Sequence, residues 1–312
     1  MAKNSRGGIA VKFFFALSGF LLFASLQRNN NLAHFLRNRI LRIYPAFLVA
    51  FFLCVILVGT YGSNNAPEYL RSLLDPKLLS AAMQLDKIPY NPSTYEQLNG
   101  SIWTIKIEFE AYIALVCLAL VGALSRRYLI AVIWVASFGL FIASNEGLLP
   151  NRFVHYAAHI EFWNYFATGI AFAAFHSRIP RTGWIALTAL VTCAAAIASN
   201  TLDYALVIAG VYLLFYLGLA SGRFSGFGRR TDLSYGTYLF AWPIQVVVSD
   251  ILPVEASPYV VTLLVLPVVL CVAFASWTLV ERPALRLKQP HSRRTEGGPL
   301  TVSAAMAIPE RH

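Results

Sequence analysis

Val260-Val261-Thr262-Leu263-Leu264-Val265-Leu266-Pro267-Val268-Val269-Leu270-Cys271-Val272-Ala273-Phe274 is the stretch that decides the fold. It does not alternate between apolar and polar residues, so it does not read as a barrel strand with one wet face. It reads as a helix that is apolar all round, as expected for a membrane span. Residues 47–58 repeat the pattern, and the 312-residue chain is 57% hydrophobic with a mean hydropathy of +0.59. That is more apolar sequence than one soluble core accommodates. In hydrocarbon, backbone polar groups must be satisfied within their own segment, which selects helices. The chain therefore reads as an all-α polytopic integral membrane protein.

A helix needs about 20 residues to cross a bilayer core. Nine segments approach that length: 9–26, 43–61, 104–124, 129–146, 160–176, 183–200, 204–220, 235–252 and 259–280. Short basic loops stay cytoplasmic, so the loops set the orientation. One side carries Arg28, Arg37, Arg39, Arg42, Arg126, Arg127, Arg178, Arg181, Arg223, Arg229, Arg230, Arg282, Arg286 and Lys288. The other has Lys3, Arg6, Arg71, Lys77, Lys87 and Arg152, offset by Glu68, Asp75, Asp86 and Glu96. This places the C-terminus in the cytoplasm, and an odd number of spans then puts the N-terminus outside. Lys3 and Arg6 oppose that outcome.

Residues 1–289 form one membrane domain, and 290–312 read as a flexible cytoplasmic tail. The connection 62–102, with Pro67, Pro76, Pro89 and Pro92, is long enough to have a task of its own and suits a short helix over 68–79. The net charge of +10 is distributed over several short loops, where topology and anionic membrane lipids account for it, so no nucleic-acid partner is implied. Cys54, Cys117, Cys193 and Cys271 all sit in apolar segments without disulfide or ligand spacing. His155 and His159 are four residues apart with only Glu161 nearby, which does not complete a metal site.

Ionisable groups inside apolar segments must face protein, water or substrate, which directs attention to Lys12, Lys106, Glu108 and Glu110. In Asn99-Gly100-Ser101-Ile102-Trp103-Thr104-Ile105-Lys106-Ile107-Glu108-Phe109-Glu110-Ala111-Tyr112, a helix starting near Trp103 sets Lys106 and Glu110 four apart. Glu108 then needs another partner, or a role: orienting a catalytic imidazole, binding a sugar hydroxyl or tuning a proton transfer. Trp103 suits an interfacial belt or a stack against a sugar. Ser18 and Gly19 suit close helix packing. Arg37, Arg39 and Arg42 precede Ile43-Tyr44-Pro45 at a cytoplasmic helix start, with Pro45 placed in the first turn. Topology explains these arginines, and so does phosphate recognition by a guanidinium fork, as for a coenzyme A thioester.

These residues also resemble the acyltransferase-3 family of bacterial membrane O-acyltransferases. Residues 7–20 resemble its glycine- and phenylalanine-rich helix ending Ser-Gly-Phe, and 37–45 its Arg-(Leu/Ile)-Leu-Arg-Ile-Tyr-Pro signature. Residues 99–108 resemble its Asn-Gly-Ser-(Leu/Ile)-Trp-Thr segment followed by glutamate. Asp232-Leu233-Ser234-Tyr235-Gly236-Thr237-Tyr238-Leu239 with Trp242-Pro243 resembles its Ser-Tyr-Gly-x-Tyr-Leu motif, and 277–283 its closing Trp-x-x-x-Glu-(Arg/Lys)-Pro.

The resemblance implies transfer of an acyl group, usually acetyl from acetyl-CoA, to a hydroxyl of a cell-surface, exported or lipid-linked saccharide at the bacterial inner membrane. No metal is implied, and glycan-assembly proteins are possible partners. It assigns Arg39 and Arg42 to the donor and Glu108 to the catalytic centre, with Trp103, Ser18 and Tyr44 lining the site. The family has ten core helices, so nine spans correspond to that fold without its first helix. That helix carries an arginine and, about ten residues later, a histidine regarded as catalytic, which has no counterpart in this numbering. The expectation is an upstream coding segment of roughly 35–50 residues, one crossing plus a loop. The alternatives are a saccharide or lipid-linked glycan transporter, in which Lys106, Glu108 and Glu110 line a passage, and an inactive truncated homologue.

Overall fold

The computed structural model describes residues 6–28, 31–57, 99–220, 231–252 and 257–287. The expected helix over 68–79 and the tail from 290 lie outside the described residues. The described elements are helical: α1 (Arg6–Arg28), α2 (Leu32–Leu57), α3 (Trp103–Leu120), α4 (Arg127–Asn145), α5 (Ala157–Ala174) and α6 (Gly183–Ala198). They continue with α7 (Leu202–Ala205), α8 (Val211–Ala220), α9 (Ser234–Ile251), α10 (Pro258–Ser276) and α11 (Arg282–Arg286). Two π-helical turns, Leu206–Gly210 and Trp277–Glu281, join α7 to α8 and α10 to α11.

Four of the described helices, not nine, are long and apolar enough to cross a bilayer: Gly8–Arg28, Leu32–Leu57, Arg127–Asn145 and Pro258–Arg286. The other expected spans fall short for two reasons. Helix α6 has 16 residues, about 24 Å at 1.5 Å per residue against a core of about 30 Å, and Leu202–Gly218 is likewise a shorter apolar helix. Helices α3, α5 and α9 have 18 residues each but carry Lys106, Glu108 and Glu110; His159, Glu161 and Asn164; and Pro243, Gln245 and Asp250. Some of that polarity is turned into the protein, since Glu108 and Asn164 are both buried. The start of α2 is a second correction. The helix begins at Leu32, so Arg37, Arg39 and Arg42 lie within it and Pro45 is interior, not in the first turn.

The chain divides into two compact units. The first contains the described residues of Met1–Phe35 and Ile107–Ser225, and the second those of Leu36–Lys106 and Gly226–Glu296. In the first, α1 packs along α5, which also packs on α4. Glycine makes the α1–α5 contact close: a Cβ on Gly19 would lie 2.1 Å from the Phe166 carbonyl oxygen, and one on Gly169 would lie 1.9 Å from that of Ala16. Phe15 stacks on Phe162 beside this contact, with ring centroids 4.8 Å apart. In the second unit α9 packs on α10, where a Cβ on Gly236 would meet Ala273 at 3.1 Å.

Candidate active site

The second unit gathers its polar groups around two points. At the first, Arg42 on α2 donates from Nη2 to Asp232 Oδ2 at 2.5 Å. The other oxygen of Asp232 accepts from the Ser234 hydroxyl at 2.6 Å and the Ser234 amide at 3.2 Å, fixing the carboxylate at the start of α9. Burial works to raise the Asp232 carboxyl pKa, but the Ser234 hydroxyl bond and the charge and hydrogen bond of Arg42 outweigh it, leaving it below the usual value of 3.8. The Arg42 guanidinium lies 6.0 Å from the centroid of the Tyr235 ring, whose hydroxyl donates to the Ile43 carbonyl at 3.1 Å.

Glu281, on the π-helical turn after α10, is buried, and one of its oxygens accepts from Ser276 at 3.1 Å. Its other oxygen is buried and has no hydrogen-bond partner among the described residues. Glu281 lies within electrostatic reach of Arg42 and Asp232. Arg37 donates to the Leu287 carbonyl at 3.1 Å, tying the Arg-rich part of α2 to the end of α11. A part-exposed guanidinium held by one carboxylate bond can exchange that partner for a phosphate, which has the same sign of charge and also presents paired oxygens to the guanidinium fork.

The second point is built by the segment before α3. The Asn99 side chain donates to the Leu239 carbonyl at 3.0 Å and accepts from the Ser101 amide at 3.0 Å. The Thr104 and Tyr238 hydroxyls lie 2.5 Å apart, and Tyr238 also donates to the Ser101 carbonyl at 3.1 Å. A Cβ on Gly100 would lie 2.7 Å from the Trp242 indole, so only glycine leaves room for that ring. Trp103 and Tyr44 are half-buried, and Tyr44 meets Phe47 edge to face with centroids 6.2 Å apart.

In the first unit, Glu108 is buried and accepts a hydrogen bond from Tyr112, one helical turn further along α3. The Glu110 carboxylate lies 3.7 Å from His159 Nε2, a partner from α5 that spacing within α3 could not reveal. Ser18 is half-buried on α1, next to the Gly19 contact. Lys12 is buried with its ammonium 2.7 Å from Glu161 and 2.9 Å from Asp203.

Sequence reasoning thus singled out Arg42 and Glu108, but it quoted their partners Asp232 and Tyr112 only within motifs and assigned neither pairing. It quoted Glu281 only within a motif. It flagged Lys12 without Asp203, although a cation in an apolar segment announces that a carboxylate lies elsewhere in the chain. Arg42 is in one unit and Glu108 in the other, and Arg39 is half-buried on the same helix as Arg42.

Residues 2–281 match the family described as Acyltransferase domain, acyltransferase-3. The chain belongs to this family. Relatives of the acyltransferase include an O-acetyl transferase of Shigella phage Sf6, 28% identical over 307 residues that cover 92% of this chain and 87% of the relative. Nodulation protein 10 of Rhizobium leguminosarum bv. viciae is 26% identical over 315 residues, covering 91% of this chain and 83% of that protein. Acyltransferase MdmB of Streptomyces mycarofaciens is 31% identical over 108 residues, 34% of this chain and 27% of that one. No solved structure matches the chain. Bacterial relatives and several apolar spans make this family member a multi-span protein of a bacterial membrane.

Proposed function

We propose that this acyltransferase transfers an acetyl group from acetyl-CoA to a hydroxyl of a cell-surface, exported or lipid-linked saccharide. The observation that carries the donor side is Arg42: its guanidinium is partly accessible, held by one oxygen of Asp232, and stands over an aromatic ring. Arg42 receives a phosphate of the donor and Arg39 assists from the same helix. Arg37 ties this part of α2 to the end of α11, and both stretches are basic, which by the positive-inside rule supports a donor site on the cytoplasmic face.

In the reaction the acceptor hydroxyl oxygen attacks the thioester carbonyl carbon, the C–S bond breaks, and the hydroxyl proton ends on the departing thiolate to give free coenzyme A. Glu108, buried and already bonded by Tyr112, serves the centre by orienting the group that carries this proton or by holding the acceptor hydroxyl. Trp103 and Tyr44, both half-buried in the second unit, offer aromatic faces to the acceptor. The first relative's name, O-acetyl transferase, supports this choice of group. The test is incubation of the purified chain in lipid with [14C]acetyl-CoA and bacterial surface polysaccharide. Label in the polysaccharide, released by mild alkali as acetate, is the expected result; none above a protein-free control overturns it.

A further inference from the structure

Lys12, Glu161, Asp203 and Tyr165 form a cluster in the first unit that the donor chemistry does not use. Lys12 lies on α1, Glu161 and Tyr165 on α5, and Asp203 on α7. The ammonium contacts both carboxylates, through Glu161 Oε1 at 2.7 Å and Asp203 Oδ1 at 2.9 Å. One carboxylate neutralises a buried lysine. A second adds desolvation and like-charge repulsion, and leaves the group with a net charge of minus one.

Tyr165 gives an independent indication of a ligand. It is 0% exposed, and its hydroxyl is buried without a hydrogen-bond partner among the described residues. It follows Glu161 by one helical turn on the same face of α5, within electrostatic reach of Glu161, Asp203 and Cys193. A purely structural ion cluster does not need this orphaned hydroxyl, and burying it unpaired costs about 1–3 kcal/mol. Lys12 is 3% exposed whereas Glu161 and Asp203 are 26% and 21% exposed, so the cluster opens on its carboxylate side.

We propose that this cluster binds the hydroxyl groups of a neutral saccharide. The net negative charge rejects anions, and the ammonium already occupies the place a small cation would take between the carboxylates. A polyol meets the remaining demands, since its hydroxyls donate to the carboxylates and its oxygens accept from Tyr165. The assignment rests on the saccharide reading above and gives it an acceptor subsite.

Saturation-transfer NMR on the full chain in lipid nanodiscs, with methyl glycosides of glucose, galactose and rhamnose and with sodium glucuronate as probes, tests it. At least one methyl glycoside receives saturation from the wild type and the glucuronate does not. E161Q and D203N each weaken that binding at least five-fold, while Lys12 keeps one carboxylate and the fold is retained. Y165F is the sharper variant, because it deletes an atom with no protein partner. A structural role leaves glycoside binding unchanged in Y165F, whereas the proposal requires at least a three-fold loss. No transfer to any methyl glycoside in the wild type, or wild-type binding in Y165F, overturns it. Coenzyme A titrated into the same samples separates this failure from failure of the donor reading, since Y165F and E161Q keep wild-type donor affinity.

Discussion

Arg42 on α2 and Asp232 at the start of α9, 190 residues apart in the chain, share a hydrogen bond of 2.5 Å. Asp232 keeps its grip on Ser234 through the other oxygen, so breaking the Arg42 bond does not release the carboxylate from α9. R42A therefore weakens coenzyme A binding by about 10- to 150-fold, the loss of a charge-assisted hydrogen bond of about 1.5–3 kcal/mol. R42K rescues poorly, because an ammonium lacks the planar fork. D232N moves affinity the other way, tightening it several-fold by removing the phosphate's competitor. Isothermal titration of the three variants checks these directions.

The same pair has a defined acid response. The folded-state pKa of Asp232 is lowered, so its stabilisation is present above its unfolded value near 3.8 and is lost as pH falls through the lower folded value. Thermal unfolding between pH 5 and pH 2.5 should show wild type losing more stability than D232N. Parallel curves would contradict the pair's contribution.

Glu108 predicts a separation of charge from shape. E108Q stays folded, because glutamine still accepts from Tyr112, but it loses most acetyl transfer. Y112F keeps the carboxylate and is milder. Circular dichroism with initial rates distinguishes the two, and full turnover in E108Q removes Glu108 from the centre.

How much of this was legible follows from particular residues. The apolar run 260–274 announced a membrane helix because hydropathy is a local property, and the helix from Pro258 is long and apolar enough to cross a bilayer. The span count failed because α6 and Leu202–Gly218 are shorter than the apolar runs that suggested them, while α3, α5 and α9 carry charged, amide or proline residues within their 18 positions. Pro45 misplaced the start of α2, since a proline that suits a first turn is also tolerated in the interior of a membrane helix. Glu108 was visible as a charge in the wrong solvent, and Arg42 as one of the arginines at a cytoplasmic helix start. Their partners were not, because Asp232 is distant in sequence and Tyr112 looks like any other aromatic residue of an apolar helix.

Gly19 and Gly139 form a matched stability test. G19A drives a Cβ to within 2.1 Å of a backbone carbonyl oxygen and forces α1 off α5, costing about 1–3 kcal/mol. Gly139, in α4, has open space where a Cβ would stand, so G139A is neutral or stabilising by up to about 1 kcal/mol. Unfolding midpoints in one detergent compare them directly.

Arg42, at its contact with Asp232, is proposed to receive the phosphate of an acyl-CoA donor. Equilibrium dialysis of [14C]acetyl-CoA against the purified chain in nanodiscs, wild type beside R42A, measures this binding. The account predicts saturable binding to the wild type and at least ten-fold weaker binding to R42A. Equal binding to the two proteins, or none to the wild type, would contradict it.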